Sequence, residues 1–245
     1  AVLALSVPAW ASQVSITPLD TGNTTSSQSQ SGASEPSTAQ NTSGQTVDIS
    51  SITKPTVASQ GAVLLNAADG SVLFSKNGDT TYYPASITKL MTALLVAENC
   101  NLDDTVTFSA TATTNLESGA VSIGMAEGDT MTVRQCLYAL LLKSANEVGN
   151  ALAEHVAGSN AAFAEKMNAK AASLGCTNTH FANPHGLNDP NHYTTPHDMA
   201  LIARAAFAND IVKTVASTRT YTLPATKNNP SGLTVTMGHK MLNPN

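Results

Sequence analysis

The chain has 245 residues, of which 42% are hydrophobic, 12% charged and 4% aromatic. That is enough apolar sequence for one large domain or two small ones with a real core, and it excludes disorder throughout. Three cysteines are too few for a disulfide scaffold, and a net charge of -5 argues against nucleic-acid binding, which shows itself as a basic stripe. The sparse charge suits an exported protein with a Ser/Thr/Asn-rich surface.

Residues 1–11 read AVLALSVPAWA, an apolar run closing on Ala9-Trp10-Ala11. This is the pattern of the back half of a secretory signal peptide, and it is too short to span a membrane. Residues 12–57 include the nearly uncharged stretch SSQSQSGASEPSTAQNTSGQ. Such a segment buries too little apolar surface to offset its ordering entropy, so a disordered linker is expected there. The folded domain is expected over residues 58–245.

Its first elements are two strands in GAVLLNAADGSVLFSKN, turning at Ala68-Asp69-Gly70. In TYYPASITKLMTALLVAEN the period changes, and Leu90, Met91, Leu94 and Leu95 recur as they would on a buried helix. Thr132-Val133-Arg134-Gln135 has the form of a capping box and opens a helix through Cys136, Leu137, Leu140 and Leu141. After a break at Lys143-Ser144 a helix is expected from about Asn146 to Val156, stopped by Gly158. Ser159 or Asn160 starts another, with Phe163, Met167, Ala171 and Leu174 on one face and Gly175 at its end. Thr195-Pro196-His197-Asp198 starts a further helix, with proline at the first helical position. TRTYTLPA and LTVTM read as strands. Strands, a helical middle and strands again predict an α+β fold, with one sheet built from both ends of the domain.

Two short motifs carry chemistry. Ser86 and Lys89, in Pro84-Ala85-Ser86-Ile87-Thr88-Lys89, lie three apart and therefore on one helix face, as a nucleophile and its base would. Ser86 at a helix start meets backbone N–H groups that favour negative charge. For Lys89 to be neutral its ordinary pKa of about 10.4 must fall by roughly three units, about 4 kcal/mol, which burial and a second cation could supply. Ser144-Ala145-Asn146 sits in the break between two helices, where a hydroxyl can relay a proton and an amide can both donate and accept. Each motif alone is weak, since serine at a helix start is usually just a cap.

Together, in this order, they resemble the active-site motifs of penicillin-binding proteins and serine β-lactamases. YYPASITKLMTALLVAE, LLLKSANEVGNALAEHVAG and FANPHGLNDPNHYTTPHDMALIARAAF resemble, over residues 58–245, the low-molecular-mass D-alanyl-D-alanine carboxypeptidases. The resemblance implies an antiparallel sheet packed with a helical subdomain. It implies that Ser86 attacks the penultimate D-Ala carbonyl of a peptidoglycan stem peptide. Lys89 takes the proton, Ser144 passes one to the departing D-Ala, and Asn146 holds the substrate amide. The Ser86 N–H supplies half of an oxyanion hole, water hydrolyses the acyl-enzyme, and penicillin and other β-lactams acylate the same serine. No cofactor is implied, and the setting is extracytoplasmic, at a bacterial cell wall or membrane.

The family's third motif, Lys-Thr-Gly on a strand, is absent after Ser144; Lys240 is followed by Met241-Leu242. The reading is that this strand, any second domain and any membrane anchor lie beyond Asn245, and that the 245-residue chain alone is a poor enzyme. His180, His185, His192 and His197 cluster in sequence as zinc ligands would, but without H-E-x-x-H no metal is expected. Cys100, Cys136 and Cys176 are expected as free thiols, although Cys100 and Cys136 could bridge. The alternatives are a serine β-lactamase, a D,D-endopeptidase, and a non-catalytic wall-binding module. A class A β-lactamase usually carries Ser-Asp-Asn, where this chain has Ala145, and an acid in the later loop, where no E-x-x-L-N stands out. A wall module would have no need of intact Ser86, Lys89, Ser144 and Asn146.

Overall fold

The computed structural model describes residues 55–114 and 116–238, with three further short strands given as backbone. The chain divides into two units, Ser6–Ser59 in one and Ala1–Leu5 with Gln60–Asn245 in the other. In the first, β2 (Thr38–Gln40) pairs antiparallel with β3 (Thr46–Asp48). The other residues of the expected signal segment and linker lie outside the described residues, apart from Val2–Ala4 and residues 55–57.

In the larger unit, β1 (Val2–Ala4), β4 (Ala62–Asn66) and β5 (Val72–Lys76) form an antiparallel sheet in the order β1-β4-β5. Gly70 makes the β4–β5 turn at φ 82, the left-handed region in which glycine carries no Cβ penalty. Val63 and Leu65 of β4 pack on Ala200 of helix α6 (Pro196–Ala208). Thr195 caps α6 by accepting from the Asp198 N–H, with Pro196 at the first position.

Helix α1 (Lys89–Asn99) is buried along most of its length, from Lys89 through Met91 to Val96. It is therefore a central element rather than an amphipathic surface one. Around it pack α4 (Asn146–Ala157), α5 (Asn160–Ser173), α6 and α7 (Asp210–Ala216). The capping box forms at the start of α3 (Val133–Tyr138): Thr132 accepts from the Gln135 N–H, and the Gln135 side chain accepts from the Thr132 N–H. Gly158 ends α4 at φ 79. The sequence reading did not anticipate helix α2 (Ala110–Thr114), helix α7, or the hairpin of β6 (Thr105–Thr107) with β7 (Thr130–Thr132), which buries Val106 and Met131.

The α+β class stands, but the sheet expected from both ends of the domain is corrected. Among the described residues, β8 (Thr220–Leu223) and β9 (Leu233–Thr236) pair only with each other. Leu223 and Val235 join the helical core, and Tyr221 stacks on Tyr138 of α3 at 3.8 Å between ring centroids. This hairpin therefore packs on the helical middle rather than extending the β4–β5 sheet. No helix among the described residues is long and apolar enough to cross a membrane.

Candidate active site

Ser86 lies in a 3-10 turn, Ala85–Thr88, that leads directly into α1. Ala85 starts that turn at φ 50, in the left-handed region that costs a residue with a Cβ about 1–2 kcal/mol. The strain sits one residue before the candidate nucleophile. It is locked by Gly186 (φ 86), where a Cβ would fall 1.9 Å from the Ala85 carbonyl oxygen. Only glycine satisfies both the conformation and the contact.

Lys89 is 2% exposed. Its Nζ donates to His185 O at 2.7 Å, to Asn146 Oδ1 at 2.8 Å and to Ser86 Oγ at 3.3 Å. Burial drives its pKa down from 10.5 to about 7, while the charge of Glu147 pulls the other way. Among the described residues burial alone lowers it. A neutral amine keeps two N–H donors and gains a lone pair. The two short bonds use the donors, which leaves the lone pair for the Ser86 hydroxyl.

A turn of π-helix, Ala139–Lys143, follows α3 and ends at Ser144 in the left-handed conformation, φ 65. Ala145 is extended and α4 begins at Asn146. The Asn146 backbone N–H and its Nδ2 both donate to Val121 O, at 2.9 and 2.8 Å. The structure thus joins Ser86, Lys89 and Asn146 in one bonded set. The Ser144 hydroxyl is not in it: its Oγ is buried and makes no hydrogen bond.

The other wall is the connection from α5 to α6. Asn183 Oδ1 accepts from the Gly186 N–H at 2.7 Å, and Thr92 Oγ1 donates to Pro184 O at 2.6 Å. His192 Nδ1 accepts from the Ala182 N–H at 3.0 Å, so the ring proton is on Nε2 and is donated to Thr88 Oγ1 at 2.8 Å. Burial lowers the pKa of His185 to about 3 and of His192 to about 4, so both rings are neutral at ordinary pH. A shallow, open groove lies between Tyr83–Ala85 and Gly186–Asp189.

His185 Nδ1 accepts from the Leu187 N–H and His180 Nδ1 bonds Asn191 O, so these rings have backbone partners of their own. Among the described residues no group of three or more His, Cys, Asp or Glu is placed to hold a metal. Cys100, Cys136 and Cys176 are free thiols rather than a bridged pair. Burial raises the pKa of all three, Cys176 to about 12, which leaves them protonated and poor nucleophiles.

Residues 48–241 match the model of a peptidase family, the D-alanyl-D-alanine carboxypeptidases. The chain belongs to that family. It is 39% identical over 183 residues to the D-alanyl-D-alanine carboxypeptidase of Streptomyces sp. strain K15, covering 70% of this chain and 62% of that protein. It is 38% identical over 150 residues to the D-alanyl-D-alanine carboxypeptidase DacF of Bacillus subtilis strain 168, covering 59% and 38%. The chain therefore spans less than two thirds of either relative. The crystal structure of the Streptomyces K15 DD-transpeptidase superposes with a TM-score of 0.72 at 34% identity, covering 79% of this chain and 78% of that one. A family member is thus expected to be a serine peptidase of penicillin-binding fold, as the motifs implied.

The sequence reading did not single out the carbonyls of Val121 and His185, the glycine at 186, or Glu147. Backbone carbonyls carry no sequence signal. Gly186 stood in a quoted block, yet nothing local marks it as packed on Ala85. Glu147 did carry a signal, an acid directly after Ser-x-Asn on a helix that turns out to be buried.

Proposed function

We propose that the protein carrying this chain is a serine-type D-Ala-D-Ala carboxypeptidase acting on peptidoglycan stem peptides outside the cytoplasmic membrane. The observation that carries the reading is the Lys89 amine: buried, held by Asn146 and His185, and 3.3 Å from Ser86 Oγ. Lys89 takes the Ser86 proton as Oγ attacks the carbonyl of the penultimate D-Ala. The C–N bond breaks, the departing D-Ala amine takes a proton through Ser144, and an ester on Ser86 remains. Water then attacks that ester and frees Ser86. Asn146 Nδ2 has a second proton beyond the one given to Val121 O, and that proton is the donor proposed for the substrate amide. β-Lactams acylate Ser86 by the same attack. Membrane association would come from parts of the protein other than the described residues.

A second reading is transpeptidation, in which an amine rather than water takes the acyl group. The observation favouring it is the structural likeness to a protein described as a DD-transpeptidase. The test is a synthetic peptide ending in D-Ala-D-Ala, incubated with and without an added amine acceptor. Free D-Ala with the shortened acid as product supports hydrolysis. A new amide in its place supports transfer, and neither product refutes both.

A further inference from the structure

Helix α4 brings a carboxylate into the core beside Asn146. Glu147 is 1% exposed. Its Oε1 accepts from Ser122 Oγ at 2.6 Å, the Ile123 N–H at 2.7 Å and the Gly124 N–H at 3.1 Å. Its Oε2 is buried without a hydrogen-bond partner. A half-satisfied carboxylate in the core is costly, even in the favourable first turn of a helix. Stability alone is therefore a poor reason for its presence.

Segment 121–124 has no helix or strand hydrogen bonds of its own. It is fastened from one side by Glu147. From the other, Asn229 Nδ2 donates to Ile123 O and Asn228 Nδ2 to Gly124 O, each at 2.9 Å. The same segment supplies the Val121 carbonyl that takes both donors of Asn146, and Asn146 in turn grips Lys89. A continuous run of bonds leads from the Glu147 carboxylate to the amine beside Ser86.

We propose that Glu147 is a positioning residue of the acylation machinery: its carboxylate sets segment 121–124, and through Val121 it sets the Asn146 amide that holds Lys89. It has a second effect, through its charge. The ionisable groups around the Lys89 amine are Glu147 from α4 and His185, with His192 behind it, from the α5–α6 connection. Both imidazoles are neutral at ordinary pH, so Glu147 is the charge that opposes the burial of Lys89 and keeps its amine from losing affinity for protons altogether.

The proposal rests on the acyl-serine reading of the site, so its test includes a readout that does not. The complete protein is prepared as wild type, E147Q and E147A. Lys89 is followed by NMR of the labelled side-chain amine against pH, and penicillin acylation is timed from pH 5 to 9. E147Q keeps an acceptor oxygen and loses the charge. It should move the Lys89 midpoint and the acid limb of acylation down by about one pH unit, with the plateau within about threefold. E147A loses both and should lower the plateau about tenfold or more. An unshifted Lys89 midpoint in E147Q overturns the proposal, as does wild-type acylation by a folded E147A. If E147A does not fold, E147D, which keeps the charge but draws the carboxylate back by one methylene from segment 121–124, takes its place: a lowered plateau is expected, and wild-type acylation overturns the proposal. If the wild type takes no penicillin, the functional reading fails, and the Lys89 titration still decides the role of Glu147.

Discussion

Replacing Lys89 with methionine tests the state of that amine without relying on catalysis. The pKa is 10.5 when unfolded and about 7 in the fold, because burial disfavours the ammonium. Below pH 7 both states hold the proton and above 10.5 neither does; in between only the unfolded state holds it. Stability from this group is thus full above 10.5, and is lost as pH falls towards 7. The total is about 5 kcal/mol, at about 1.4 kcal/mol per pH unit. K89M leaves Asn146 Oδ1 and His185 O without this donor, a cost of about 1–3 kcal/mol per acceptor that does not vary with pH. Urea unfolding of both proteins at pH 7.5 and 9.5 removes that constant, and the titrations of tyrosine and cysteine cancel between them. The wild type should gain about 2–3 kcal/mol over K89M across the two pH values. Parallel pH dependences would mean that Lys89 is not perturbed in the fold, and its role as a base at neutral pH would fall.

Gly186→Ala places a Cβ 1.9 Å from the Ala85 carbonyl in a left-handed conformation, so penicillin labelling should be lost and the melting temperature should drop by several degrees. His185 and His192 have pKa values depressed to about 3 and about 4, so their stability contribution is present above 6.5 and is lost as pH falls through that window. The unfolding free energy from urea titrations should accordingly fall steeply between pH 6.5 and 4, by up to about 2.7 kcal/mol per pH unit while both groups are protonated only in the unfolded state. Thr132→Ala removes the cap of α3, whose bonds go to Gln135 and not to the set at Ser86, and should cost about 1 kcal/mol by chemical denaturation while leaving the penicillin acylation rate unchanged.

Where the physics is local, the sequence was legible. The capping box at Thr132 and Gln135, the glycine stop at Gly158 and the proline-led start of α6 depend on residues within one turn of each other, and all three form. Ser86, Lys89 and Asn146 were readable as candidates for the same reason, since each lies in a motif of three or four residues. What escaped depends on long-range packing. β6 and β7 are three residues each and pair across 22 intervening positions, a signal too short for a periodicity argument. The destination of the β8–β9 hairpin was set by Tyr221 meeting Tyr138, 83 residues away, and not by its own alternation. The depressed pKa of Lys89 was an argument from need. Burial met that need, and burial is not readable from the lysine's neighbours in sequence.

The central claim is that Ser86 is a nucleophile made reactive by the amine of Lys89. The most direct measurement is the intact mass of the complete protein after exposure to penicillin, with the adduct mapped to a peptide and Ser86→Ala run alongside. One penicilloyl group is expected on the peptide containing Ser86, absent in S86A, with S86A folded and within about 0.5 kcal/mol of wild type in stability. No adduct on the wild type, or an adduct that persists in S86A, would contradict it.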